Sequence, residues 1–90
     1  MANHKSAIKR AKQSEVRRIR NRSRRTRMKH AVKSLEEALT SRDPEQTAIR
    51  LKEAVSVIDK TASHGVIHKN HASRKISRLT QKVNALGQSA

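Results

Sequence analysis

The sequence predicts an all-α protein, an antiparallel three-helix bundle with a long basic N-terminal helix projecting from it as an arm. Three observations lead there. The 90 residues include only two Gly and one Pro, so little interrupts a helix. No segment alternates apolar and polar residues as a half-buried strand does. Apolar residues instead recur at steps of three and four in three separate stretches.

The first stretch predicts a helix from about Ser6 to about Thr40 or Ser41. Its second half carries a stripe of Met28, Val32, Leu35 and Leu39, flanked by Ala31 and Ala38. At about 100° per residue, the earlier Ile8, Val16 and Ile19 fall on a different side, so the first half cannot continue the same packing seam. A helix of some 35 residues is roughly 50 Å long, and half of it has no partner in the pattern. Residues 1–30 are therefore expected to form the arm, 31–87 the bundle and 88–90 a frayed tail, all as one domain.

Asp43-Pro44-Glu45-Gln46 reads as the start of the second helix. Asp43 can cap, Pro44 suits the first turn and Gln46 can complete a capping box. Its stripe is Ala48, Leu51, Val55, Ile58 and Ala62. His64-Gly65 marks its end, with Gly65 free to adopt the left-handed conformation. The third helix begins between Ile67 and Ala72 and carries Ala72, Ile76, Leu79, Val83 and Leu86. The core is small and lacks aromatic residues, which makes the bundle marginal alone.

Charge divides the same chain differently. There are 22 Lys and Arg against 7 Asp and Glu, a formal net charge of +15. Residues 1–33 carry net +12, residues 34–59 net −3 and residues 60–90 net +6. Such a charge attracts polyanions, whether nucleic acids, anionic lipid surfaces or acidic proteins. The absence of Phe, Tyr and Trp argues against stacking of unpaired bases and weakens a membrane-surface reading. Cys is absent, which excludes disulfides and thiolate metal sites. No apolar run is long enough to span a bilayer. The opening ten residues lack the apolar core of a secretory signal. Their Arg-rich, acid-poor character mimics a transit peptide, but the stretch runs unbroken into the helical pattern.

The arm supplies the first candidate site: Lys5, Lys9, Arg10, Lys12, Arg17, Arg18, Arg20, Arg22, Arg24, Arg25, Arg27 and Lys29. These bases point nearly all the way round the helix, which suits a rod inserted between several phosphate backbones. Arg predominates between Arg17 and Arg27, and its planar fork matches phosphate oxygens. Like charges four apart, as in Arg18/Arg22 and Arg20/Arg24, disfavour the free helix, so the arm is expected to be partly disordered until a polyanion neutralises it. Charge alone leaves DNA and RNA both open.

A second basic run is His68-Lys69-Asn70 followed by Arg74, Lys75 and Arg78. If Asn70 or a neighbour caps the third helix, the first-turn N–H groups form an anion site beside those bases. An ordinary helix start with exposed Lys and Arg explains the run equally well. His64, His68 and His71 have suggestive spacing, but Gly65 breaks the helix between the first two and no Cys or carboxylate completes a zinc site. No cofactor is expected. Catalysis has no support either: neither a nucleophile motif nor a Gly-rich phosphate loop is present, and the adjacent Glu36 and Glu37 point apart on a helix.

The opening Met1-Ala2-Asn3, Lys5-Ser6-Ala7 and Lys9-Arg10, together with Gly65-Val66-Ile67-His68-Lys69-Asn70, Ala72 and Arg74, resembles the twentieth protein of the bacterial small ribosomal subunit. The resemblance covers essentially the whole chain, and the second motif is the more specific. It implies a non-enzymatic constituent of the ribosome in the bacterial cytoplasm, present there as a monomer and bound directly to 16S ribosomal RNA. The implied contacts are with the 5′ domain and the penultimate stem. By the same resemblance Lys5, Ser6, Lys9, Arg10, His68, Lys69, Asn70 and Arg74 touch RNA. His4 departs from the family pattern, where an apolar residue is common.

Overall fold

The computed structural model describes residues 2–89, and side chains for residues 4–86. Three helices follow one another: α1 (Ala2–Ser41), α2 (Pro44–Ser63) and α3 (Lys69–Ser89). There is no strand among the described residues. α1 begins some four residues earlier than expected, because neither Gly nor Pro occurs before Pro44 and nothing near the amino terminus stops helix propagation.

The turn between α1 and α2 is two residues long, Arg42 and Asp43. Arg42 takes the left-handed conformation, φ 54°, and its N–H donates to the Leu39 carbonyl at 3.1 Å. Asp43 then caps α2, its Oδ1 accepting from the N–H groups of Glu45 at 3.1 Å and Gln46 at 3.2 Å. Gln46 returns no side-chain bond, so the cap is one-sided and Pro44 fixes the first turn. So short a connection forces α2 to run back antiparallel along the second half of α1.

α2 ends in a Schellman turn. The Val66 N–H reaches the Thr61 carbonyl at 3.2 Å, and the Gly65 N–H reaches that of Ala62 at 2.9 Å. This geometry places Gly65 at φ 75°. A Cβ there would meet no atom within 4 Å, so any substitution penalty is backbone strain alone. Gly65→Ala is expected to cost about 1 kcal/mol or slightly more and to lower Tm by roughly 4–8 °C. Gly65→Asn should cost less, since Asn tolerates this region better. Thermal melts followed by circular dichroism distinguish the two; equal, negligible shifts would show that the turn is not rigid.

The core comprises Met28 and Leu35 of α1, Ala54 and Ile58 of α2, and Ala72 and Leu79 of α3. Ala31, Val32, Leu39, Leu51, Val57, Ile76 and Val83 pack around it. The expected stripes of α1 and α3 therefore face the core. Of the α2 stripe, Ile58 is buried and Leu51 and Ala62 pack on the core, but the buried face extends to the side of Thr47, Ala54 and Thr61. Ala48 is exposed, whereas Thr47, Ala54 and Thr61 are buried beside Ile58. α2 lies between the other two helices and must present small residues to both, so Thr47 and Thr61 enter the core, the Thr47 hydroxyl buried without a hydrogen-bond partner. The Thr61 hydroxyl is satisfied by its own helix, donating to the Val57 carbonyl at 2.7 Å.

α1 and α3 meet mainly through these side chains and through an ion pair, Lys82 Nζ to Glu36 Oε1 at 3.8 Å. α3 continues through Gly87 to Ser89, where a frayed tail was expected at 88–90. A helical Gly costs only about 1 kcal/mol and no Pro follows to end the helix. Ala90 lies outside the described residues.

Burial along α1 begins in earnest at Met28, with Asn21 and Arg24 half-buried ahead of it. Residues 4–20 are all exposed. The molecule measures 69 × 22 × 13 Å, which is the bundle plus the projecting first half of α1.

Candidate nucleic-acid interface

The arm presents its cations on a rod of which residues 4–20 are all exposed. Lys5, Ser6, Lys9, Arg10, Lys12, Arg17, Arg20, Arg22, Arg25, Arg27 and Lys29 are exposed, and Arg24 is half-buried where α1 meets the bundle. Ile8, Val16 and Ile19 are also exposed, at 45–58 % of their full area, so they form no part of the core.

Arg18 differs from its neighbours. Its guanidinium holds Glu15, with Nη2 at 2.6 Å from Oε1 and Nε at 3.2 Å from Oε2. This hydrogen bond, with the attraction between the two charges, lowers the Glu15 carboxyl below its ordinary value and raises Arg18 above its own. The acid is the depressed partner, so the contribution of the pair is present above the ordinary carboxylate range and is lost as pH falls through the lowered value. At neutral pH one arm cation is thus already engaged. Glu15→Gln is expected to free Arg18 and strengthen polyanion binding about two- to threefold. It should also steepen the salt dependence by about one ion. Binding isotherms at several salt concentrations measure both, and an unchanged slope would mean that Arg18 meets no phosphate.

The fold does something to the charge that the linear order conceals. α2 returns from the turn at Arg42 to the root of the arm, where Lys60 and His64 stand against Arg24 and Arg27 around one hollow. α3 starts just beyond, so His68, Lys69, Asn70, Arg74, Lys75 and Arg78 begin from the same end of the bundle. All of these are exposed except Lys75, which is half-buried. Glu36, Glu37, Asp43 and Glu45 lie toward the opposite end, beside the α1–α2 turn, whereas Asp59 is exposed next to Lys60 near the basic end. The two basic regions, the first ending at Lys29 and the second starting at His68, therefore converge on one end of the bundle.

The cap of α3 is His68 rather than Asn70. Its Nδ1 accepts from the Asn70 N–H at 3.0 Å, and its carbonyl accepts from Ala72 at 3.0 Å. With Nδ1 occupied as an acceptor, a neutral ring carries its proton on Nε2, which can donate outward. Asn70 is left to act through its side chain.

Among the described residues, no three His, Cys, Asp or Glu side chains come together as metal ligands. His68 makes the only histidine side-chain hydrogen bond there, and it goes to backbone rather than to a serine or carboxylate. No helix among the described residues is long and apolar enough to cross a membrane.

Lys60 is not marked by the sequence, and His64 is marked only as the helix end and, with His68 and His71, as a residue better suited to phosphate contact or plain exposure than to a metal. Lys60 lies in the last turn of α2 and His64 is its C-cap, where basic residues are ordinary complements to the helix dipole. Only the packing of α2 on α1 gives them cationic neighbours.

A small helical bundle, a cation-studded rod and a basic end together present the chemistry of a polyanion-binding protein. The family model described as Ribosomal protein S20 matches residues 2–84. The chain belongs to this family of structural ribosomal proteins. The small ribosomal subunit protein bS20 of Syntrophobacter fumaroxidans is 67 % identical to it over 86 residues, covering 96 % of this chain and 100 % of the relative. That of Desulfotalea psychrophila is 60 % identical over 86 residues, covering 96 % and 97 %. That of Nitratidesulfovibrio vulgaris is 56 % identical over 84 residues, covering 93 % and 97 %.

Proposed function

We propose that the protein is a structural constituent of the small ribosomal subunit in the bacterial cytoplasm, where a single copy binds 16S ribosomal RNA directly and helps assemble and stabilise the body of the subunit. The observation that carries this reading is the all-round distribution of bases on a helix whose first half is exposed. Such a rod suits several RNA backbones at once and suits a single flat surface poorly. The basic start of α3 supplies a second phosphate-binding region at the same end of the bundle.

The mode of binding is a backbone clamp. Phosphate contacts fix position, and the folded shape of the RNA supplies selectivity, since deep A-form grooves hide base edges from side chains. RNA neutralises the like charges along α1 and so favours its helical state over partly disordered alternatives. Contacts to the 5′ domain and the penultimate stem would place separate RNA elements on one rigid rod.

The test is binding to a 5′-domain fragment of 16S ribosomal RNA at moderate salt, against excess random duplex DNA. Binding that survives the competitor supports the reading. Binding that the DNA abolishes would leave a general polycation of the kind that coats chromosomes.

A further inference from the structure

The hollow at the root of the arm is built from both α1 and α2. Arg24 and Arg27 enter it from one helix, and Lys60 and the C-cap His64 from the end of the other. Its floor is Val57 and the buried Thr61, whose hydroxyl is already bonded inward to the Val57 carbonyl. No carboxylate lines it. Among the described residues, the ion pairs are Arg18–Glu15, Arg50–Glu53 and Lys82–Glu36, so none of these four basic side chains has an acidic partner.

Arg24, Arg27 and Lys60, brought together around one hollow, repel one another. The carbonyls at the end of α2 do not relieve this repulsion. Those of Lys60, Thr61 and Ala62 accept backbone bonds from His64, Val66 and Gly65 in the Schellman turn. An anion seated among the four side chains would. The free volume, about 110 Å³, is well below the roughly 300–1,000 Å³ of pockets that hold whole small molecules. A phosphate group is of suitable size; a nucleoside is not.

We propose that this hollow seats one phosphodiester of the bound RNA, which adds Lys60 and His64 to the RNA-binding residues and ties the arm to the bundle through the ligand. The proposal rests on the RNA-binding reading above. It also gives the half-buried Arg24 a role distinct from the freely exposed arm bases: it joins a contact that only the folded bundle can complete.

The experiment compares wild-type protein, the double variant Lys60→Gln/His64→Gln and the single variant Lys52→Gln, using the 5′-domain fragment over a range of salt concentrations. With neutral His, the two variants lose the same formal charge, and Lys52 is an exposed residue of α2 outside the hollow. The double variant is expected to bind about tenfold more weakly, with a salt slope shallower by about one. Lys52→Gln should stay within about twofold of wild type, and Lys60→Arg should retain affinity. Melts in the absence of RNA should be similar for all. In parallel, the His64 ring signals are followed by NMR with the RNA and with inorganic phosphate at matched ionic strength. The RNA should move them saturably. Equal losses for the double variant and Lys52→Gln, or ring signals that respond to inorganic phosphate and not to RNA, would overturn the assignment while leaving RNA binding itself intact. Loss of selective RNA binding by the wild-type protein would remove the broader reading, and this one with it.

Discussion

Replacing Arg17, Arg20, Arg22 and Arg25 together with Gln should weaken binding to the 16S 5′-domain fragment on the order of a thousandfold at moderate salt, since each charged hydrogen bond is worth about 1.5–3 kcal/mol before compensation. These four side chains are exposed and share no ion pair with a carboxylate. Their removal therefore leaves the protein's packing untouched, and it relieves repulsion along the free helix. The melting temperature of the bundle should stay constant or rise slightly. The wild-type protein, with roughly ten phosphates engaged, should show a log–log salt slope near −9, and the variant one shallower by about 3.6. Isotherms at four or five salt concentrations decide the matter. A wild-type slope of only one or two ions would contradict the clamp.

The second large effect is on the fold. Leu35 is completely buried and belongs to the cluster that joins all three helices. Leu35→Ala is expected to cost about 2–5 kcal/mol, from lost transfer energy plus the cavity left behind. A bundle of fewer than 70–80 residues rarely has more than about 3–5 kcal/mol in total. The free variant should therefore be largely unfolded near 37 °C, with its ellipticity at 222 nm much reduced. RNA at about 100 times Kd would return about 2.7 kcal/mol and restore much of the helix. A variant that melts within a few degrees of wild type would show that the core relaxes around the missing side chain.

The two experiments separate features that the sequence reveals unequally. The helices were legible because Asp43-Pro44 and His64-Gly65 are strong boundary signals, and because the α1 and α3 stripes are made of large apolar residues. The facing of α2 was not. Its periodicity is carried by Leu51, Val55 and Ile58, which lie to one side of the buried face, while the residues that set its orientation include Thr47 and Thr61. A polar residue in the core gives no apolar signal. The arm bases were legible as a density of charge, since no packing was needed to see them. Lys60 and His64 were not, because their significance depends on the antiparallel return of α2 to Arg24 and Arg27. His68 as a cap was equally hidden, as an imidazole is an uncommon choice where Asn70 stood nearby.

A rod held at one end converts small angles into large displacements. From Met28 to the start of α1 is about 26 residues, or roughly 39 Å of helix at about 1.5 Å per residue. A tilt of about 10° at the root then carries the tip through roughly 7 Å, which is enough to exchange one phosphate for its neighbour. Since residues 4–20 are all exposed, the aim of the tip is decided where Met28 and Leu35 are packed. The bundle acts as the mounting of a lever, and the tightness of a handful of aliphatic contacts sets the registration error of cations some forty ångströms away.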